Sequence, residues 1–395
     1  MPWLRFLYYF CVLMIKIEDK KDCCGCGACA QICPRKCIEM RCDEEGFAYA
    51  CVDEQSCINC SLCEQVCPVI NSGDARQAIS VKAVKSTDDN LRKVSSSSGL
   101  FTLLSRVVLS RGGVVYGACY NADGDVVHAV ACNEQELAQM RGSKYAQSNV
   151  SIVFADVERR LKDGVEVLFS GTPCQVHGLR RYLRRDYDNL IVVDVVCHGV
   201  PSPMVWRDYL KDINPDGLRP LYINMRQKSR WNRSYSIKVA SGGRVLVNQL
   251  ARHNVYMQAF RKDYTLRPSC YECAAKGGRS QSDITIGDLW GARKIVPRMA
   301  DHKGLNVALV WSEKGARLIN EIGEWCAMQE VAFEAVLRRN GSIVSSAKMP
   351  AARADFWTKY KEQGVDAIEH YAPIKYHNPF VKLYYSLKKK AGKKR

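Results

Sequence analysis

VEVLFSGTPCQVHGLRRYLRR, residues 165–185, decides the fold. VEVLFSG is an apolar run of the kind a strand buried on both faces carries. Gly171-Thr172-Pro173 then turns the chain, and the residues from Val176 onward have helical spacing. LIVVDVVC (190–197) repeats the move, a second buried strand followed by a helix in PSPMVWRDYLKDI (201–213). Strand–helix alternation of this sort predicts an α/β domain with a largely parallel central sheet.

Outward from that unit the pattern continues. VKAVKS (81–86) reads as a strand. SSSSGLFTLLSRVVLSRGG (95–113) reads as a helix, with serines able to cap its start and Gly112-Gly113 to end it. VVYGACY and VVHAVAC flank Asp123-Gly124 and predict a hairpin. SNVSIVFADVERRLKDG (148–164) has helical spacing and a glycine stop. SYSIKVA, RVLVNQ, DITIGDLW and NVALVW read as further strands of a mixed sheet, and after about residue 345 the pattern weakens.

Twenty cysteines in 395 residues are far more than packing needs, and thirteen of them fall in the first 67. In a reducing compartment such density points to metal or redox chemistry rather than disulfides. The formal charge is +17, but seven of the last fourteen residues are basic: Lys382, Lys388, Lys389, Lys390, Lys393, Lys394 and Arg395. That tail reads as a solvated terminus that can touch an acidic partner or a membrane surface. No nucleic-acid motif accompanies it, so nucleic acid is not expected as a partner. The apolar run from Trp3 to Ile15 is too short to span a bilayer, and Met14 opens a normal-looking start. Residues 1–13 are therefore expected to be an upstream extension, the chain to have no transmembrane span, and the protein to be cytoplasmic.

The cysteine-dense region is a repeat. Cys23-x2-Cys26-x2-Cys29-x3-Cys33-Pro34 recurs as Cys57-x2-Cys60-x2-Cys63-x3-Cys67-Pro68. This is the bacterial two-cluster ferredoxin run, in which the fourth cysteine of each motif serves the other cluster. It assigns one [4Fe–4S] cluster to Cys23, Cys26, Cys29 and Cys67, and another to Cys57, Cys60, Cys63 and Cys33. Structural zinc is the alternative, which the x2-x2-x3-Pro spacing disfavours. Cys24, Cys37, Cys42 and Cys51 fall outside both motifs and read as bystanders.

Cys174 admits three readings: a nucleophile at a helix start with His177 nearby, an inert thiol, or a ligand. No orienting third group accompanies the first. Cys174 and Cys197 each end a predicted strand, where open α/β sheets bind ligands, and Cys270-x2-Cys273 supplies a chelating pair. These are four thiolates, the complement for a third [4Fe–4S] cluster or for zinc.

SSSSGLFTLL, GGVVYGACY, RGSKYAQS, VLFSGTPCQVHGLRRYL, VVCHGVPSP, LRPSCYEC and DITIGDLWG occur in that order. Together they resemble the beta-subunit family of coenzyme F420 hydrogenases and dehydrogenases, over roughly residues 76–325. The resemblance implies FAD beside an iron–sulfur cluster held by Cys174, Cys197, Cys270 and Cys273. It also implies electron exchange between a hydride carrier, F420-like or nicotinamide, and one-electron centres that serve a redox partner protein. The expected flavin contacts lie at two helix starts, Ser98-Gly99 and Gly171-Thr172, with Lys144 and Arg141 adding charge and Asp288 closing the site. Leu100 stands where the family often has a second glycine.

The expected fold is thus α+β / α/β: a dicluster ferredoxin-like domain (14–72) fused to an α/β flavin- and iron–sulfur-binding domain with a mixed sheet. That second domain divides into 76–155 and 156–345, and an extension (346–395) follows. No catalytic acid or base is expected. The alternatives are a ferredoxin-type carrier without flavin, a reductase associated with polysaccharide biosynthesis, and a nucleic-acid-binding metalloprotein.

Overall fold

The computed structural model describes residues 14–150, 152–228 and 235–374. The expected upstream extension and the basic tail lie outside the described residues.

The cysteine repeat is visible in the backbone. Helices Ala28–Ile32 and Leu62–Gln65 each begin after a left-handed residue, Gly27 (φ 69°) and Ser61 (φ 54°), at the same place in the two motifs. Glycine adopts that conformation freely, whereas for serine it is uncommon. Between the helices, strands β1 (Ile38–Cys42) and β2 (Ala48–Val52) pair antiparallel.

The larger part is built on strands β3 (Ser80–Ser86), β4 (Val114–Tyr120), β5 (Val126–Ala131), β6 (Val167–Gly171) and β7 (Leu190–Val195). β8 (Tyr222–Gln227), β9 (Ser236–Ser241) and β10 (Arg244–Leu250) follow, then β11 (Ile284–Asp288), β12 (Asn306–Val310) and β13 (Cys326–Glu330). The main sheet has the order β13-β3-β12-β11-β7-β6-β4-β5. β4, β6, β7 and β11 are parallel, while β5, β12 and β13 pair antiparallel with their neighbours, so the sheet is mixed as expected.

Period-two alternation assigns each strand's side chains to two cores. Val115, Leu168, Ile191 and Val193 pack against the helix Leu100–Ser110. Val167, Phe169, Leu190 and Val192 pack against the helices Val153–Lys162 and Pro173–Leu183. Cys26, Ala28 and Val66 of the cysteine-rich part belong to that second core, which seats it on this face of the sheet.

Three expectations need correction. The strands SYSIKVA and RVLVNQ are not in the main sheet; they form a separate antiparallel sheet, β10-β9-β8. The main sheet's edges are already taken by β5 and β13, and Ile237 and Val239 instead cover Trp206 and Tyr209. The helix expected over 95–113 runs only from Leu100 to Ser110, and its cap residue is Gly99. Ser98 turns away, its hydroxyl donating to the Val84 carbonyl (2.7 Å) and to Asn306 Oδ1 (2.6 Å). Third, the weak pattern beyond residue 345 hides two helices, Arg353–Gln363 and Asp366–Tyr371, which bury Phe356, Trp357 and Tyr360. Among the described residues no helix is long and apolar enough to cross a membrane.

Candidate functional site

Four thiols from distant parts of the chain line one cavity of about 640 Å³, measured out to open solvent: Cys174, Cys197, Cys270 and Cys273. Each is delivered by a local device. Cys174 is the second residue of the helix Pro173–Leu183, where the Thr172 hydroxyl lies 3.2 Å from its sulfur. Gln175 steadies that start by accepting from the Thr172 N–H (3.0 Å) and hydroxyl (3.1 Å). Cys197 lies two residues beyond β7, at the carboxyl edge of the parallel strands. Cys270 ends the turn Pro268–Cys270, and its sulfur accepts from the Val200 N–H (3.4 Å). The Cys273 N–H donates to Ser346 Oγ (2.9 Å).

Burial and mutual proximity push these thiols up. Cys197 is held well above its ordinary range by burial and by the sulfurs of Cys270 and Cys174, and burial takes Cys270 to about 12. Cys174 is raised by its contact with Cys24 and by burial. A thiol held protonated is a poor nucleophile. Four half-buried thiols this close together become thiolates together only around a positive core.

Three cations line the same cavity: Lys21, half-buried and paired with Glu272 on its wall (3.4 Å), and the buried Arg267 and Lys276. Arg267 is 1 % exposed. Its guanidinium donates to the carbonyls of Cys23 (2.7 Å) and Ala48 (2.9 Å), to Gln147 Oε1 (3.1 Å) and to Cys23 Sγ (3.5 Å), and it lies over the Tyr49 ring. Lys276, 5 % exposed, donates to the carbonyls of Cys197 (2.6 Å) and Ser342 (2.7 Å). Among the described residues neither forms an ion pair with a carboxylate. Buried charges are ordinarily paired, so these two fit a pocket whose missing charge is negative. Neither was expected from the sequence, although Arg267 stands inside LRPSCYEC and Lys276 three residues past Cys273.

The ferredoxin-type cysteines also gather. Cys29 feels the sulfurs of Cys23 and Cys67, and Cys26 those of Cys29 and Cys67. Cys33, Cys57, Cys60 and Cys63 line a second cavity. Two of the supposed bystanders sit among them. Cys37 lies 3.4 Å from Cys33, sulfur to sulfur, and Cys24 contacts both Cys26 and Cys174. The doublet Cys23-Cys24 is the signal that marks the latter. Among the described residues no group of three or more His, Cys, Asp or Glu side chains is set to hold a single metal ion. A cube gives each thiolate its own iron and does not ask for that.

The residues expected to meet a flavin lie along the carboxyl edge of the sheet, but several polar groups are already engaged. Besides its hydroxyl, the Ser98 N–H is spent on Asn306 Oδ1 (3.0 Å). Lys144 is half-buried, desolvation brings it down to about 8, and its ammonium donates to the carbonyls of Met140, Arg141 and Gly142. Asp288 pairs with Arg226 (2.5 Å). Gly99 has φ 94°, and the helix it opens has no side-chain cap. Arg141 reaches that first turn at Thr102 Oγ1 (3.3 Å). Gly171 ends β6, with Thr172 opening the next helix.

Residues 164–334 match the family model that describes the C terminus of the coenzyme F420 hydrogenase/dehydrogenase beta subunit. The matched span holds Cys174, Cys197, Cys270 and Cys273. Among solved structures, the chain is similar to a chain of the F420-reducing [NiFe] hydrogenase complex from Methanosarcina barkeri. The identity is 16 %, over 75 % of this chain and 91 % of that one, with a TM-score of 0.45. No curated protein matches.

Proposed function

We propose that this chain is an iron–sulfur flavoprotein oxidoreductase subunit, exchanging electrons between a hydride carrier, F420-like or nicotinamide, and a redox partner protein. The observation that carries the reading is the meeting of Cys174, Cys197, Cys270 and Cys273 in one cavity, beside two buried cations that no carboxylate among the described residues neutralises.

Those four thiols would hold one [4Fe–4S] cube, Cys23, Cys26, Cys29 and Cys67 a second, and Cys33, Cys57, Cys60 and Cys63 a third. When bound, the cubes supply one-electron exchange, and FAD couples that exchange to the two electrons of a hydride. The chain's own contribution is placement. Val69, Pro173 and Val200 wall the first cavity with apolar surface. The uncapped helix start at Gly99 offers free N–H groups to a pyrophosphate, and Arg141 beside it is already paired with Glu134.

The internal bonds of Ser98 and Lys144 favour a second reading, a carrier without flavin. Anaerobic purification separates the two. The proposed enzyme releases FAD on denaturation and carries about twelve irons and twelve sulfides. F420H2, NADH or NADPH should then bleach the flavin band. Full iron with no flavin would leave the carrier reading standing, and about eight irons would remove the cube of the Cys174 cavity.

A further inference from the structure

Arg267 is shared between two thiol groups. On one side it touches the Cys23 sulfur and backbone; on the other it lines the cavity of Cys174, Cys197, Cys270 and Cys273. It feels the sulfurs of Cys23, Cys24 and Cys270, whereas Lys276 acts on Cys197 and Cys273 and donates to the Cys197 carbonyl (2.6 Å). Cys24 also joins the two groups, but carries no fixed charge.

We infer that Arg267 and Lys276 set reduction potentials: Lys276 that of the Cys174 group only, and Arg267 those of the Cys174 and Cys23 groups together. The inference rests on the cluster assignment proposed above. Four thiolates around an iron–sulfide core carry net negative charge, and each added electron increases it. A fixed buried cation therefore stabilises the reduced form and raises the potential, in surroundings that screen little. The guanidinium stays protonated throughout and donates to a ligand sulfur, the hydrogen bond known to tune such centres. A cation placed between two centres raises both together and so leaves the gap between them largely unchanged. Both residues are positioning residues; neither touches a reacting carrier.

The test is an anaerobic redox titration of the full chain, followed by electron paramagnetic resonance, with iron and sulfide counted on each sample. Lys276→Met should lower one midpoint and leave two unmoved. Arg267→Gln should lower two and leave the Cys33, Cys57, Cys60 and Cys63 centre unmoved. Arg267→Lys, which keeps the charge, should recover most of that loss. A tenfold weaker hold on the electron corresponds to about 59 mV for a one-electron centre, and a shift of at least that size is expected.

Unmoved midpoints at full iron content would overturn the inference. So would an Arg267→Lys shift as large as that of Arg267→Gln, because packing and not charge would then be responsible. If Arg267→Gln fails to keep its iron, Lys276→Met decides: a shift in one centre alone supports the inference, and no shift overturns it. Failure of the underlying assignment looks different, since the unaltered protein would then lack a third resonance altogether.

Discussion

Cys26 lies against the bare α-carbon of Gly178. A Cβ built on that glycine would stand 2.8 Å from the Cys26 Cβ and 3.0 Å from its sulfur. The cysteine-rich part therefore docks on the helix Pro173–Leu183 at a point where only glycine leaves room. Alanine in a free helix is favoured over glycine by about 1 kcal/mol. Here Gly178→Ala should instead destabilise, and Gly178→Val should cost about 1–3 kcal/mol through overpacking. Thermal unfolding with an iron count checks both, and a raised melting temperature in the alanine variant would show that the contact is slack.

The thiol pair at the end of the Pro268 turn gives a compositional prediction. Cys270→Ser combined with Cys273→Ser should lower iron and sulfide by about a third while the other eight ligands keep theirs. Unchanged iron would remove these residues from the ligand set.

Arg353 and Glu45 form a buried ion pair across the molecule, with Arg353 also donating to the Tyr271 hydroxyl (3.0 Å) and the Leu266 carbonyl (2.9 Å). Removing one partner strands the other, at a cost of about 3–5 kcal/mol. Glu45→Gln and Arg353→Met should each destabilise by that order. The double variant should cost less than their sum, because the two positions are coupled. Additive losses in denaturant unfolding would contradict the pairing.

His128 makes stability depend on pH. Burial holds its imidazole down to about 4; the Ser170 carbonyl bond opposes that shift. In the unfolded chain it binds a proton near pH 6.5, so between those values the unfolded state carries the extra proton. The folded protein should thus be fully supported by this group above about pH 6.5 and lose about 3 kcal/mol as pH falls to 4. His128→Gln should flatten that part of the profile. Comparing variant and parent at each pH isolates His128 from Asp194, which burial raises to about 6 and which acts in the opposite sense. Parallel profiles would refute the assignment.

The strands and helices around Gly171 and Val195 were legible because buried parallel strands are written as continuous apolar runs. The three-stranded sheet was misplaced because Ile237 and Val239 alternate as any half-buried strand does, and alternation does not name the sheet a strand joins. The helix at Arg353 escaped because its buried face rests on aromatics at 356, 357 and 360, too short a run to show a period. The cysteines were read by spacing; Arg267 and Lys276 were not, since a lone cation in sequence looks solvated until the fold buries it. Ser98 misled in the opposite way, its capping chemistry being spent on Asn306.

The Arg353–Glu45 contact spans 308 positions along the chain. During synthesis, the hairpin that carries Glu45 must therefore wait for 308 further residues to be made before its partner exists. Cys270 and its turn, braced by the same guanidinium through Tyr271 and Leu266, wait with it, so this corner locks only after Arg353 has been made.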